Sequence, residues 1–371
     1  MSSPTSRNRP VVVKVGTAML SRPQGGLNTA RVRSLAEELV ALQKRGSPVV
    51  LVTSGAIGAG MDKFGWKTRP TVLSDKQAAA AVGQVVLMEA YEKAFGRLGV
   101  TVAQVLLSRS DMEDRERYLN ARNTLSALLS RGVLPIINEN DTVATEEIQF
   151  GDNDSLAALV AAKVGAGKLF LLTDVDGLLS GREQDARLLP EVFQITSEIE
   201  ALAGAKGGSH KSVGGMSSKL RAAKLAMASG VEVWIASGKR PGVMGEILQG
   251  HGVGTRFQAR ADSLNARQRW IALGRRVKGT LVLDAGAEAA ILQNKRSLLP
   301  SGIVRVEGTF HAGDTVKLLN GSGVEIARGL TAYSSEEAKK IRGRKSIELE
   351  RLLGRPCPAE VIHRDNLVLL T

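Results

Sequence analysis

Cysteine, histidine and aromatic residues are scarce in this chain of 371 residues. There is one cysteine, Cys357, there are four histidines, and Phe, Trp and Tyr together make up 4% of the sequence. A lone thiol excludes an internal disulfide framework and is typical of a cytoplasmic protein. Four scattered histidines and one cysteine are too few for a zinc site. So few aromatic rings argue against a platform for stacking bases, so RNA is not expected as a partner.

Long apolar runs are absent as well. No stretch of the sequence resembles a membrane span, and the first ten residues, MSSPTSRNRP, lack the apolar segment of a signal peptide. We therefore expect residues 1–9 to be a disordered tail and expect no membrane association. The apolar content of 43% is ordinary for a globular protein, and the length suffices for two domains, one of them large.

Apolar strands alternate with amphipathic helices through the first two-thirds of the chain. Strands are predicted at 10–16, 48–53, 100–107, 133–138, 168–173 and 231–236. Helices are predicted after Asn28 as N-cap, over 82–98, over 118–131, from Ser155 and over 217–229. This alternation predicts an α/β fold whose parallel sheet has helices on both faces. Ligands of such sheets bind beyond the carboxyl ends of the strands.

The chain changes in character after about residue 257. Short β-type runs at 280–283, 303–306, 316–319, 324–327, 361–363 and 367–370 alternate with turn-forming residues, and one helix is predicted at 335–341. This pattern predicts a small, mainly β domain. We therefore divide the chain into residues 1–262, an arginine-rich linker over 263–277 and a second domain over 278–371. The net charge of +13 suggests anionic partners without specifying any.

The segment 148–158, IQFGDNDSLAA, is the strongest indication of a site. It groups Asp152, Asn153 and Asp154 immediately before an apolar helical pattern. The N-terminus of a helix offers spare N–H groups and the positive end of the helix dipole, so it orients acids and attracts anions. Taken alone, the segment also fits a simple capped helix with Asp154 or Ser155 as N-cap.

Polar residues also end the strand predicted at 133–138. The sequence NENDT, residues 138–142, places Asn138 and Asp141 at the edge of the sheet where ligands bind. An isolated copy of this sequence would indicate an Asx-type turn. Together with residues 152–154 it supplies several amides and carboxylates for one pocket. Such a pocket suits a zwitterionic small molecule, whose ammonium group needs carboxylate or carbonyl partners.

Lysines and glycines indicate a place for phosphate. Lys14 lies inside an apolar strand two residues before Gly16, where it either extends to solvent or contacts phosphate oxygens. SGAIGAG, residues 54–60, is a glycine-rich turn whose N–H groups can approach an anion. Neither GxGxxG nor a P-loop is present. GGMSSK, residues 214–219, follows a segment that suits a flexible lid over a polyanion.

Taken in order, these motifs resemble the amino acid kinase family, in particular its members that phosphorylate glutamate and carry a C-terminal PUA domain. The matching strings are VVKVGT, VTSGAIGAG, INENDTVAT, FGDNDSLAA, LLTDVDGL, GGMSSK and SGKRPGVMGEIL. TLVLDAGA and VIHRDN continue the resemblance into the tail. Aspartokinase, acetylglutamate kinase and uridylate kinase would share single motifs but not the pairing of INENDT with GDNDS.

The resemblance implies a three-layer αβα sandwich on a mostly parallel sheet of eight strands, followed by a PUA-like domain. It implies that ATP, with Mg²⁺, phosphorylates the side-chain carboxylate of L-glutamate to L-glutamyl 5-phosphate, the first step of proline biosynthesis. It further implies feedback inhibition by proline and a homodimer or homotetramer. No side chain is assigned to the metal.

The resemblance also implies roles for particular residues. Lys14 and Lys219 would contact the transferring phosphoryl group, and Asp154 would hold both lysines in place. The residues expected to bind glutamate are Ser54, Asn138, Asp141, Asp152 and Asn153. Those expected to bind ATP are Lys14, Gly16, Thr173, Asp174, Val213, Gly214, Gly215, Met216, Ser217, Ser218 and Lys219. Val213 stands where the family usually has threonine.

Two alternative functions remain open at this point. An RNA-binding or RNA-modifying protein would explain the basic C-terminal region, in which residues 266–371 contain 18 Lys and Arg against 11 Asp and Glu. The low aromatic content argues against this alternative. The second alternative is a related kinase that acts on another amino acid or on acetylglutamate.

Overall fold

The structure is a computed structural model that describes residues 9–22, 25–144, 153–180, 186–203, 215–259 and 277–369. The chain forms two compact units that divide between Ser263 and Leu264. The expected tail and the expected linker lie outside the described residues, apart from residues 9 and 277. None of the described helices is both long enough and apolar enough to cross a bilayer.

The first unit is built on one large sheet. Its strands are β1 (Val11–Val15), β2 (Val49–Val52), β3 (Val102–Leu107), β4 (Leu134–Glu139), β5 (Lys168–Thr173), β6 (Leu179–Ser180), β7 (Arg187–Leu188), β8 (Glu191–Val192), β9 (Glu232–Ser237) and β10 (Thr255–Phe257). Eight of them pair in the order β3-β4-β2-β1-β5-β9-β10-β8, while β6 pairs with β7. Within the sheet of eight, the pair β9–β10 is antiparallel and the other six neighbouring pairs are parallel. The expectation of a mostly parallel sheet of eight strands is confirmed.

Helices cover both faces of this sheet. They are α1 (Thr17–Leu20), α2 (Thr29–Lys44), α3 (Ala56–Phe64), α4 (Leu73–Gly96), α5 (Arg109–Glu113), α6 (Arg115–Ser130), α7 (Asn153–Val164), α8 (Ser197–Leu202), α9 (Met216–Ala228) and α10 (Val243–Leu248). One core contains buried residues of α7 and α9, and the other contains buried residues of α2 and α4. The three-layer arrangement is therefore confirmed as well.

The alternation of side chains along β1 determines the direction of Lys14. Val12 packs in the core that contains Leu156 of α7, whereas Val13 packs in the core that contains Leu35 of α2. Successive residues of a strand face opposite sides of the sheet. Lys14 therefore shares the face of Val12 and points towards α7.

The glycine-rich segment at 54–60 differs from its prediction as a turn. Only Ser54 and Gly55 precede α3, and the remaining residues lie within that helix. Gly55 is the N-cap and has a φ of 103°, which favours glycine. Its neighbour α4 begins at Leu73, well before the predicted start at 82. The start of α4 was missed because its first turns contain small residues that give little apolar periodicity.

Two of the glycines in this region bring α3 and α4 together. A Cβ atom on Gly60 would lie 1.8 Å from the carbonyl oxygen of Ala79, and one on Gly83 would lie 1.8 Å from that of Ala56. No residue larger than glycine fits at either position unless the backbone of one of the two helices moves. Gly60 therefore serves helix packing rather than the approach of an anion, which was the role expected for this glycine-rich segment.

The start of α7 also differs from its prediction. The helix already includes Asn153, so Asp154 lies within its first turn, and neither Asp154 nor Ser155 is the N-cap. This shift matters for function, because a residue inside the first turn is held by the helix backbone on both sides.

The second unit has its own sheet and core. Its elements are β11 (Gly279–Leu283), α11 (Ala285–Leu292), β12 (Ile303–Gly308), β13 (Thr315–Leu319), β14 (Glu325–Leu330), α12 (Ser335–Ile341), α13 (Leu349–Leu353) and β15 (Leu367–Leu369). The strands pair in the order β12-β11-β13-β14-β15 around a core that includes Phe310 and Tyr333. The helix predicted at 335–341 is confirmed. The strand predicted at 361–363 is wrong, because Ile362 forms only an isolated bridge with Leu298.

Candidate active site

A cavity of about 400 Å³ lies beyond the carboxyl ends of β1, β2, β4 and β5. Gly16, Ser54, Asp141 and Asp174 line it, and each of them follows one of these four strands. Parallel strands all end at the same edge of a sheet, so four short polar segments meet there. The strand pattern in the sequence predicted this location.

A buried carboxylate joins two lysines at this cavity. Lys14 Nζ lies 2.6 Å from Asp154 Oδ1, and Lys219 Nζ lies 3.2 Å from Asp154 Oδ2. The hydroxyl of Ser218 donates to Oδ2 over 3.0 Å. Asp154 is fully buried, whereas both lysines line the cavity. Three residues predicted from separate motifs are thus in contact, supplied by β1, α7 and α9.

The two lysines determine the charge of Asp154. Burial by itself raises the pKa of a carboxyl group, but the positive charges of Lys14 and Lys219 and their hydrogen bonds outweigh burial and hold the pKa of Asp154 below its ordinary value. The carboxylate is therefore ionised at neutral pH. Because two ammonium groups share one carboxylate, the cluster retains positive charge, which suits an anion in the cavity.

A chain of amide hydrogen bonds holds the next part of the site. Asn153 Nδ2, which carries two N–H groups, has three acceptors within hydrogen-bond distance: the carbonyl oxygen of Thr53 at 2.7 Å, Ser54 Oγ at 2.8 Å and Asn138 Oδ1 at 3.0 Å. Asn138 Oδ1 also accepts from the backbone N–H of Glu139 over 2.9 Å. Since backbone groups fix the donor side of Asn153 and the acceptor side of Asn138, neither amide can be turned over.

The amide chain continues away from the cavity. Asn138 Nδ2 donates to Gln84 Oε1 over 3.0 Å, and Gln84 Nε2 donates to Gln104 Oε1 over 2.9 Å. Gln84 belongs to α4 and does not line the cavity. Gln84 was not selected from the sequence, because a single glutamine in a run of small residues belongs to no motif.

Two opposite charges face the cavity beyond the amides. Burial raises the pKa of Asp141 to about 6, and the positive charge of Arg69 opposes that rise. Both residues line the cavity. Arg69 lies between α3 and α4. It was not predicted from the sequence as a site residue, because an arginine in a loop is usually exposed to solvent and has no binding role.

The end of β5 contributes the remaining predicted residues on this side. Thr173 and Asp174 line the cavity, and Thr173 Oγ1 donates to Asp174 Oδ1 over 3.1 Å. Gly16 also lines it, and a Cβ at Gly16 would lie 3.5 Å from Lys14 Nζ.

The glycine-rich loop before α9 is described only in part. Asp152, Val213 and Gly214 lie outside the described residues. Gly215 is the N-cap of α9, and Ser218 reaches Asp154. Met216 and Ser217 belong to the first turn of α9 and do not line the cavity, whereas Lys219 does.

Comparison with known proteins identifies the class. The model of the amino acid kinase family matches residues 9–237, and that of the PUA domain matches residues 279–353. The chain belongs to the amino acid kinase family, a class of enzymes that use ATP. The residues matched by the family model include Lys14, Asp154 and Lys219.

The names of individual relatives are more specific than the name of the family. A protein of Moorella thermoacetica named glutamate 5-kinase is 50% identical over 368 residues, which cover 98% of this chain and 97% of the relative. One of Gloeobacter violaceus with the same name is 51% identical, covering 97% of this chain and 99% of the relative. Among solved structures, carbamate kinase from Giardia lamblia bound to AMP-PNP has a TM-score of 0.51 at 20% identity, covering 69% of this chain and 100% of that one. That structural similarity concerns the fold alone.

Proposed function

We propose that this chain transfers the γ-phosphoryl group of ATP to the side-chain carboxylate of L-glutamate. The product is L-glutamyl 5-phosphate, which opens proline biosynthesis. The observation that carries the proposal is the contact of Lys14 and Lys219 with one buried carboxylate, Asp154, beside a polar cavity. The relatives named glutamate 5-kinase, about 50% identical over nearly the whole chain, support the choice of substrate.

The reaction needs alignment and charge neutralisation rather than a base. The side-chain carboxylate of glutamate is ionised at neutral pH and is already a nucleophile. Its oxygen attacks the γ-phosphorus, the bond from phosphorus to the bridging oxygen of ADP breaks, and ADP leaves. Lys14 and Lys219 neutralise charge on the transferring group, and Asp154 fixes their positions.

Glutamate occupies the part of the cavity formed by β2, β4 and the start of α7. Ser54 and Asn153 are hydrogen-bonded to each other there, and Asn138 orients Asn153. Asp141 supplies a negative charge for the α-ammonium group. Asp152 is assigned to the same subsite from its motif.

The nucleotide occupies the part of the cavity near Gly16, Thr173 and Asp174, with residues 213–219 as its second contact. Thr173 and Asp174 present hydroxyl and carboxylate oxygens, the ligand type that Mg²⁺ prefers, so these residues fit the ion and would hold its water shell. When bound, Mg²⁺ adds positive charge at the phosphates.

Further features of the proposal rest on the family resemblance. They are feedback inhibition by proline, assembly into a homodimer or homotetramer, and a cytoplasmic location, which the single cysteine also favours. RNA is not proposed as a partner.

A substrate panel tests the proposal. The full chain is incubated with ATP, Mg²⁺ and hydroxylamine, together with L-glutamate, L-aspartate or N-acetyl-L-glutamate, and acyl phosphate is trapped as hydroxamate. We expect product with L-glutamate, because Asp141 offers a partner to a free ammonium group that the acetylated substrate lacks. Preferential reaction of N-acetyl-L-glutamate or L-aspartate would contradict the proposal.

A further inference from the structure

Three cationic side chains line the cavity, and they differ in their partners. Lys14 and Lys219 both contact Asp154. Arg69 makes no hydrogen bond and no ion pair with any of the described residues, although it lines the same cavity. Its guanidinium is thus the one of the three that forms no ion pair with a carboxylate in the described part of the chain.

The position of Arg69 relative to Asp141 adds to this observation. The charge of Arg69 acts on Asp141, yet the two side chains form no ion pair. The cavity therefore presents a carboxylate and a guanidinium that are close enough to interact and far enough apart to leave both available. An amino acid carries its ammonium and carboxylate on one carbon, so it needs one acidic and one basic partner at neighbouring positions.

The fold holds Arg69 where such a role requires it. Arg69 lies in the connection between α3 and α4, whose crossing is fixed by Gly60 and Gly83. At its start, the ring of Trp66 stacks on that of Phe64, the last residue of α3, with the two centroids 4.7 Å apart. The same helix pair follows Ser54, so the chain segment directly after β2 carries both the predicted serine contact and the arginine.

The geometry points to Arg69 as the residue that binds the α-carboxylate of the substrate, with Asp141 on the α-ammonium group and the reacting carboxylate directed to Lys14 and Lys219. The inference rests on the proposed function and deepens it. A guanidinium is suited to this task, because its parallel N–H groups match the two oxygens of a carboxylate. Arg69 is then a determinant of specificity for an α-amino acid.

Two substrate analogues test the contact of Arg69 with the α-carboxylate and that of Asp141 with the α-ammonium group separately. Glutarate keeps both carboxylates and lacks the ammonium group, whereas 4-aminobutyrate keeps the ammonium group and lacks the α-carboxylate. We would measure ADP release by the full chain with each compound at limiting concentration, for wild type, Arg69→Ala, Arg69→Lys and Asp141→Asn. The ATP concentration is saturating throughout.

The expected result is a crossed pattern. Arg69→Ala lowers kcat/KM for glutamate and for glutarate by roughly 10- to 100-fold, the range for a hydrogen bond to a charged group, and leaves 4-aminobutyrate within about twofold. Asp141→Asn lowers the values for glutamate and 4-aminobutyrate and leaves glutarate within about twofold. Arg69→Lys recovers part of the loss, since a lysine keeps the charge without the paired N–H groups.

Lys67→Ala is the matched control, because Lys67 is an exposed cation in the same connection that does not line the cavity. It should leave all three kcat/KM values unchanged. Equal losses for all three compounds in Arg69→Ala, or no loss for glutamate, would overturn the assignment of Arg69. Failure of the wild-type chain to phosphorylate glutamate would instead overturn the proposed function.

Discussion

The ammonium group of Lys14 lies 2.6 Å from a carboxylate oxygen of Asp154, although 139 positions separate the two residues in the sequence. The strand alternation that buries Val12 against α7 also directs Lys14 to the first turn of that helix. Since Asp154 is fully buried, the pair is held by the core and not by solvent-exposed loops. The chemistry that we propose depends on this placement.

We expect glutamate binding to depend on pH through the carboxyl group of Asp141. Its pKa in the free protein is about 6, raised by burial. Below that pH the group is neutral and does not attract an ammonium group. We expect kcat/KM for glutamate to fall as the pH decreases below about 6, with kcat less affected, because bound glutamate keeps the carboxylate ionised.

Asp141→Asn provides the check on that dependence. The variant should have a lower kcat/KM at neutral pH and should lose the step near pH 6, because it has no carboxyl group to titrate. An unaltered pH profile in Asp141→Asn would assign the step to another group. A selective change in the KM for ATP would also contradict the placement of Asp141 beside glutamate.

Gln84 is predicted to influence glutamate binding without touching the cavity. Its Oε1 accepts a hydrogen bond from Asn138 Nδ2 over 3.0 Å, and Asn138 in turn accepts from Asn153. Gln84→Leu leaves the Asn138 amide without an acceptor, a loss that costs about 1–3 kcal/mol when the group is buried. We expect a several-fold higher KM for glutamate with little change in the KM for ATP.

Gln84→Glu is the matched variant, because a carboxylate still accepts from Asn138. It should bind glutamate nearly as well as wild type. If Gln84→Leu and Gln84→Glu raised both KM values to the same extent, Gln84 would serve α4 packing and not the orientation of Asn138.

We expect that replacing Lys163 by an apolar residue makes the folded protein more stable. It is buried in α7, its Nζ has no hydrogen-bond partner among the described residues, and it lies 4.2 Å from the centroid of the Tyr118 ring. Burial lowers the pKa of Lys163 from 10.5 to about 8, an effect that Asp111 opposes and Arg122 reinforces. Folding therefore disfavours the charged form.

The lowered pKa of Lys163 determines how the stability of the folded protein changes with pH. The cost of burying the charge is fully present below about pH 8, and it disappears as the pH rises from 8 towards 10.5, because the folded state then loses its proton first. Lys163→Met should raise the free energy of unfolding at pH 7 by about 1–3 kcal/mol. The difference from wild type should narrow above pH 8.

Denaturant unfolding at pH 7 and pH 10 measures this difference. Lys93→Met is the control, because Lys93 is an exposed lysine paired with Glu89, and its removal should change stability by less than about 1 kcal/mol. A Lys163→Met variant that is less stable than wild type at pH 7 would contradict the account.

Much of this site could be predicted because its residues occupy ends of regular elements. Lys14, Asp141 and Thr173 belong to or follow strands with clear apolar patterns, and Asp154 lies in the first turn of a helix, so the order of the elements brings them to one edge of the sheet. The details that were missed depend on tertiary contacts. Gly83 packs on α3 only because α4 crosses there, and Arg69 faces the cavity only because that helix pair places it there.

The most direct test of the central claim is the single-turnover rate constant of phosphoryl transfer in Lys14→Ala and Lys219→Ala, with saturating ATP and L-glutamate. Lys163→Met, which removes another buried lysine of the same unit, serves as the control and should keep the wild-type rate within a few-fold. Circular dichroism checks that each variant is folded. We predict that the rate constant falls by about 10²–10³-fold in each active-site variant, because each loses a positive charge at the transferring group. Rates within a few-fold of wild type in folded Lys14→Ala and Lys219→Ala would contradict the account.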